Sequence, residues 1–562
     1  MSTTTSRRPA TGASSEPDDG FGRVGAKATA SGSSGVAASQ HPVVTDTMLD
    51  VLRSGGNAVD AAIAGCLVQG VVQQDMTNHA GTVTALVYEA RTGQVHELNS
   101  GGTIVPGLAP FAPVPQGKGL FSALPPRAVI PGFMPGLKAL HERFATAEWS
   151  RLCEPAVHWA EEGHVVSSLE HALLSETVAF YLYTPSGRAH FTPDGHLPQV
   201  GERWRRPELA ATMREVAAHG PDHFITGAWA ELFVARANEL GWPITLDHMT
   251  AEPPRWGTGF RWQHRGHEVV QLSPPERQGV FCALVLGILD ELDITSVGHW
   301  SESPEALYYL AHALRRAHLE CGFLNDPAVF ADPTEHLLAR EMVAGHARIL
   351  AASRPHQDLT RHVELAHGPF AVAASGAPKQ PAGSCELTVV DADGNWVQLM
   401  NTLQGGGIPG EVVAGIPMLG SHAIPHLQAS IAGWHSGGGR VRSVMGNTMV
   451  LENGRPWLSL GSPGNVHCTV PQVLSNILDF GMDPYAADDA PRCLPYQDEH
   501  VISVESRVSS DLVGGLARMG VLVDPLPAYD MHMGSFQTGW RAPDGSLRAS
   551  VGPRREGKAA GF

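Results

Sequence analysis

No run of eighteen apolar residues occurs in this chain, so the sequence offers no segment suited to cross a bilayer as a helix. Basic charge is scarce. Lys and Arg number 39 against 56 Asp and Glu, and the net charge of -17 disfavours nucleic acid and anionic membrane as partners. No Cys-x-x-Cys occurs. The seven cysteines (Cys66, Cys153, Cys282, Cys321, Cys385, Cys468 and Cys493) are odd in number and scattered, which excludes a disulfide framework or a zinc ribbon and fits a reducing compartment. The opening stretch, MSTTTSRRPATGASSEPDDGFG, has an Arg pair but no apolar segment after it. That is not the pattern of a secretory signal, and a cytoplasmic protein is expected. His422 and His426 stand four apart, but Pro425 between them disfavours a helix, so no metal site is read and no cofactor is implied.

What is present is glycine (62) and proline (42), in a chain of 562 residues with only 17% charged residues. That suits a large, compact, loop-rich body. Residues 1–22 are rich in Ser, Thr, Pro and Asp and are expected to form a disordered tail. A short strand is predicted over 37–39, then a helix opened by Pro42 and running to Arg53. Gly55-Gly56 stops it, and Asn57 with Asp60 reads as the start of a second helix over 58–69. That helix is apolar nearly all round and should be buried. A hairpin is predicted around Thr92-Gly93, mainly helical structure over 133–240, and a strand over 268–272. Further helices are predicted over 280–292, 304–319, 335–351 and 470–480, a hairpin around Asn453-Gly454, and closing strands over 499–551.

The stretch that carries chemistry is PAGSCELTVVDADGNWVQLMNTLQ, Pro381 to Gln404. A hydroxyl residue, Ser384, precedes a β-branched run. Asp391 to Asn395 reads as a tight turn, and Trp396 to Leu403 as the returning strand. A nucleophile at the start of such a strand is the arrangement of an N-terminal-nucleophile hydrolase: the hydroxyl attacks the preceding carbonyl, the chain breaks, and the freed α-amine becomes the base. Gly383 tolerates the backbone that this attack needs. The aperiodic residues 366–383 before it would give access to the bond.

Several blocks resemble the γ-glutamyltransferase (γ-glutamyltranspeptidase) family in order and spacing. They are Gly35 to Ser39 with His41-Pro42, Gly55 to Ala62, Ile130-Pro131-Gly132, Pro155 to Gly163, Gly461 to Gly464, and Gly552 to Arg555 with Phe562. The resemblance implies an α+β fold, the four-layer αββα sandwich of N-terminal-nucleophile hydrolases. It implies a precursor cut between Gly383 and Ser384 into a large subunit region, 23–383, and a small one, 384–562, which stay together as a heterodimer acting on a small molecule. Ser384 matches the family's catalytic Thr. Cys385 is the rival, since the fold also accepts Cys as nucleophile, and a slip of one residue would turn the side chain to the other sheet face. Thr402 matches the Thr whose hydroxyl contacts the nucleophile. Gly464 and Asn465 match the pair whose N–H groups form the oxyanion hole.

The substrate pocket departs from the family. Where it has an Arg for the substrate α-carboxylate, this chain has Leu98 to Thr103. Where it has an acidic pair for the α-amine, this chain has Leu419 to Ile424. A zwitterionic γ-glutamyl group would lose both charge partners. Gln404, Ser443, Asn78, His79, Ser421 and His422 are the candidates for a neutral, hydrogen-bonding pocket. The resemblance therefore implies a hydrolase or acyltransferase working through a seryl ester on a non-standard acyl or amide substrate. Two alternatives stand beside it: a C–C bond hydrolase removing an oxalyl-type group in alkylproline natural-product (antibiotic) biosynthesis, and an uncut, non-catalytic homologue.

Overall fold

The structure is a computed structural model that describes residues 24–105, 128–354, 383–403, 405–420, 439–441, 443–498 and 501–562. The expectations for residues 1–22, for 366–382, and for Gln404, Ser421 and His422 lie outside the described residues.

Pro42 opens the helix Pro42–Arg53, and the next helix, Ala58–Val72, begins with a reciprocal cap. Asn57 Oδ1 accepts the N–H groups of Val59 and Asp60 at 2.8 and 2.9 Å, while Asp60 Oδ2 accepts Asn57 N–H at 2.9 Å. Every residue of Ala58–Val72 is buried, as its unbroken small and apolar sequence requires. It packs against the helices Pro42–Arg53 and Trp149–Glu162 and against the strand Cys385–Val390.

That strand belongs to a seven-stranded antiparallel sheet in the order Lys558–Gly561, Val36–Ser39, Cys385–Val390, Trp396–Thr402, Thr82–Glu89, Gln94–Ser100, Arg255–Gly257. A second antiparallel sheet of seven strands runs Ala30–Gly32, Leu547–Val551, Gln537–Arg541, Arg455–Gly461, Thr448–Glu452, His267–Gln271, Phe260–His264. The helices Gln278–Glu291, Pro304–Glu320, Arg340–Ser353 and Val466–Leu478 share one apolar cluster with residues of this second sheet. The same cluster takes in Leu86, Tyr88, Trp396 and Met400 from the first sheet, so the two sheets meet face to face. Polar pairs cross that interface: Thr84 Oγ1 donates to Asn447 Oδ1 at 2.8 Å, and the Thr388 and Ser459 hydroxyls lie 2.8 Å apart. The architecture is the αββα sandwich, with strands from residues 385–551 supplying the centre of both sheets.

Three predicted elements differ. The helix expected over 335–351 is two, Thr334–Leu337 and Arg340–Ser353, because Ala339 is extended between them. The helix expected from 470 begins at Val466 and runs through Pro471. The closing strands are interrupted by the helix Ser510–Arg518, whose cap, Ser509 Oγ on Leu512 N–H at 3.1 Å, is plain once seen. A last strand, Lys558–Gly561, also lies beyond the predicted range and pairs with Val36–Ser39.

Candidate active site

Cys385 is the first residue of its strand and pairs with Asn401. One step further out on the two strands stand Ser384 and Thr402. The Met76 carbonyl accepts the N–H groups of both Ser384 and Leu403, each at 3.1 Å, and so ties the two strand ends together. Ser384 is buried and has φ +83°, a left-handed backbone that costs a non-glycine residue roughly 1–2 kcal/mol. Such strain persists only where the surroundings impose it. Here the hydrogen bond to Met76 on one side and the start of the sheet ladder on the other do so.

The residue before it is held as well. Gly383 O accepts the N–H of Gly464 at 3.3 Å. Gly464 has φ +84°, and a Cβ there would lie 2.9 Å from His532 O, 3.0 Å from Arg555 Nη2 and 3.1 Å from Gly534 N. A side chain at this position would force the turn to move. It leads into the N-terminus of the helix Val466–Leu478, where aligned peptide dipoles favour negative charge. The second expected donor points elsewhere. Both Asn465 N–H and Asn465 Nδ2 donate to His532 O, at 3.2 and 2.8 Å, because the His532 carbonyl lies against this turn. The His532 ring is itself fixed, with Nδ1 2.8 Å from Asp530 Oδ1 and Nε2 3.3 Å from Glu176 Oε2. Burial opposes the imidazolium, but these two carboxylates together hold its pKa above the ordinary value.

Cys385 faces the opposite way. Its thiol is buried, lies 3.5 Å from Gln73 Oε1, and is pushed well up in pKa by burial. A cavity of about 10 Å³ is lined by Gln40, Gln73, Asp75, Glu170, Arg555 and Glu556, among others. Burial pushes Glu170 up to about 8 and Glu556 to about 7, and drives Asp75 well above the usual carboxylate range.

The expected pocket residues do not all gather at one place. Ser443 bridges to Glu276, whose carboxyl oxygen also accepts Asn99 Nδ2 at 3.4 Å. Glu276 is fully buried, which pushes it up to about 8, and its Oε2 has no hydrogen-bond partner. Asn78 is buried and folds back on itself, Oδ1 accepting Ala80 N–H at 2.9 Å. His79 is turned into the helical layer, with Nε2 3.0 Å from Leu67 O and its ring edge-on to Phe133. Burial takes its pKa down to about 4. Gly70 makes the room, since a Cβ there would lie 2.7 Å from the ring. His79 is thus a core residue and not part of a pocket around Ser443. A cation does reach the segment that lacks its own Arg. Arg440 Nη1 donates to Gly101 O at 2.7 Å, but its Nη2 is taken by Pro253 O. Among the described residues no group of three or more His, Cys, Asp or Glu could hold a metal ion.

The gamma-glutamyltranspeptidase family model matches residues 45–562. The chain belongs to that family. Relatives include the glutathione hydrolase-like YwrD proenzyme of Bacillus subtilis, 27% identical over 94% of this chain and 99% of the relative. The glutathione hydrolase proenzyme of Escherichia coli is 26% identical, covering 92% and 90%. The acylase ACY 1 proenzyme of Pseudomonas sp. (strain SE83) is 26% identical, covering 94% of each. Among solved structures, a cephalosporin acylase from Bacillus halodurans superposes with a TM-score of 0.77 at 22% identity over 98% of this chain and 99% of that one. This γ-glutamyltranspeptidase-family chain is an enzyme of the hydrolase and acylase kind. No helix among its described residues is long and apolar enough to cross a membrane.

The family blocks visible in sequence did not reveal Met76, His532 or Glu276. The first two act through backbone carbonyls, which no side-chain pattern announces. Glu276 does stand out in Ser273-Pro274-Pro275-Glu276, as a carboxylate in an otherwise neutral turn.

Proposed function

We propose that the chain is a precursor that cuts itself between Gly383 and Ser384, and that the cut form transfers or hydrolyses a small acyl or amide substrate through an ester on Ser384 Oγ. The observation that carries the reading is the hold on this one peptide bond. Its carbonyl oxygen accepts from Gly464 N–H, and the nucleophile's own N–H is fixed on Met76 O.

In the first step Ser384 Oγ attacks the Gly383 carbonyl carbon. The oxygen gains negative charge against Gly464 N–H, the C–N bond breaks, and the Ser384 nitrogen leaves as an amine. Water then hydrolyses the Gly383 ester. With Gly383 released, the same N–H is open to a substrate carbonyl. The Ser384 amine takes the hydroxyl proton as Oγ attacks, and passes it to the leaving group. Water finishes the cycle by the same route.

The pocket favours a substrate other than a γ-glutamyl compound. The Arg440 guanidinium is bound to main-chain carbonyls, and the polar group beside Ser443 is a carboxyl, Glu276. A carboxyl there suits a carboxylate-bearing substrate less than an arginine would. The names of the relatives, proenzymes that include acylases, accord with this reading.

The test is intact mass and N-terminal sequencing of purified protein. Two fragments are expected, one ending at Gly383 and one beginning Ser-Cys-Glu-Leu. A fragment beginning at Cys385, or a single uncut chain, would sink the assignment.

A further inference from the structure

We propose that Arg555 is a positioning residue of this site: a permanent cation packed against Met76 and Gly464, the two residues that hold the Gly383–Ser384 bond, which keeps the α-amine freed there unprotonated near neutral pH. The inference rests on the reading of Ser384 as nucleophile and adds how its base is tuned.

Arg555 is completely buried, and its side chain touches both halves of the hold on Ser384. Nη1 lies 3.3 Å from Met76 Sδ, on the residue whose carbonyl takes Ser384 N–H. Nη2 lies 3.0 Å from the place a Cβ would occupy on Gly464, the residue whose N–H takes Gly383 O. Nε donates to Met531 O at 2.9 Å, which anchors the guanidinium to the segment carrying His532. Nη2 itself has no hydrogen-bond partner. Such an orphaned donor is costly for stability alone and marks the cation as held for another purpose.

The charges around it decide the sign. Asp75, Glu176, Asp530 and the Cys385 thiol face Arg555, with Glu170 and Glu556 behind Asp75. Burial pushes Cys385, Asp75 and Glu170 all upward, which disfavours negative charge on each of them. Glu556, at about 7, faces Lys27. Asp530 and Glu176 are both engaged by the His532 ring. Burial lowers Arg555 only to about 10, so it stays a cation. A cation so placed biases the field on that side of the site positive, and a positive field disfavours an ammonium.

The experiment reads the amine directly and needs no substrate. Cut wild-type protein, Arg555→Gln, Arg555→Lys and Asp75→Asn are reductively methylated with formaldehyde and cyanoborohydride over a range of pH. Labelling of the N-terminal peptide beginning at Ser384 is followed by mass. The wild-type amine should titrate below the ordinary range of about 7.7–8.0. Arg555→Gln should raise that pKa by roughly half a unit to one unit, while Arg555→Lys and Asp75→Asn leave it within about 0.3. An unmoved amine in Arg555→Gln overturns the proposal, as does a fall in Asp75→Asn, which would mean that an ionised Asp75 already cancels the cation. If Arg555→Gln stays uncut, a cut Arg555→Lys with a wild-type amine supports the proposal and one with a displaced amine overturns it. If both Arg555 variants stay uncut, or both unfold, Arg555 serves cleavage or the fold and the proposal fails. Uncut wild-type protein would instead remove the underlying reading of Ser384, so the two failures are distinct.

Discussion

Replacing Gly464 by alanine tests the hold on the Gly383 carbonyl most directly. Two costs follow from the geometry. The residue has φ +84°, so alanine there carries about 1–2 kcal/mol of backbone strain. Its Cβ would also press on His532 O, Arg555 Nη2 and Gly534 N, all within 3.1 Å, so the turn must move. Movement takes the N–H off Gly383 O, and losing one such donor slows reaction by about a hundred- to a thousandfold. Gly454 supplies the control. It has φ +77° at a hairpin tip, and a Cβ there meets nothing within 4 Å. Gly454→Ala should lose a similar increment of stability by thermal melting and cut normally. Gly464→Ala should fold but accumulate as the full-length chain on a denaturing gel. If Gly464→Ala cuts within about threefold of wild type while its circular dichroism and melting match the control, the donor role is wrong.

Other outcomes follow from the same geometry. Ser384→Ala should remain whole, whereas Cys385→Ala, which alters a buried thiol facing Gln73, should be cut at the wild-type position. Cut wild-type enzyme should turn over γ-glutamyl anilide about two to four powers of ten below the family's usual rate, since two charge-assisted contacts are missing. A family-typical rate would show that Arg440 or another group supplies the charge. Stability should depend on pH through Glu276. Its folded pKa of about 8 lies above its unfolded value, so its contribution is complete at low pH and is lost as pH rises toward 8. The buried His79, at about 4 in the fold, acts oppositely, but only below about pH 6.5. Between about pH 6.5 and 8 the melting temperature should fall, and should fall less in Glu276→Gln. An equal slope in the variant would show that Glu276 is ionised in the fold.

The sequence showed most where the chemistry is local. Asn57 with Asp60 announces a capped helix because the cap is made within four residues. Ser384 and Gly464 stand out because each sits in a short block whose shape depends on small residues. The rest of the site is assembled from far apart. The Met76 carbonyl at Ser384, and the His532 carbonyl and the Arg555 guanidinium at the Gly464 turn, are brought together across more than three hundred residues, and two of the three are main-chain groups. His79 misled for the opposite reason. A polar residue in a glycine-bearing loop reads as pocket lining, but the space left by Gly70 lets its ring sink under a helix. Asn465 reads as a backbone donor, but its own amide and its N–H are both spent on one carbonyl.

The strand order of the first sheet bears on what a cut at Gly383 would mean for the molecule's history. Val36–Ser39 is paired on one side with Lys558–Gly561 and on the other with Cys385–Val390, and Trp396–Thr402 is paired with Thr82–Glu89. Segments from before and after residue 383 are thus interleaved within a single sheet, and neither fragment contains a complete one. Scission would break a single covalent bond while leaving every one of those ladders in place. It would also turn any later refolding from a unimolecular reaction into a bimolecular one. Cut protein, once denatured and diluted, should recover in proportion to its concentration, whereas uncut Ser384→Ala should recover independently of it. Assembly would then belong to the precursor alone, and the mature enzyme would keep a topology that its separate pieces find hard to rebuild.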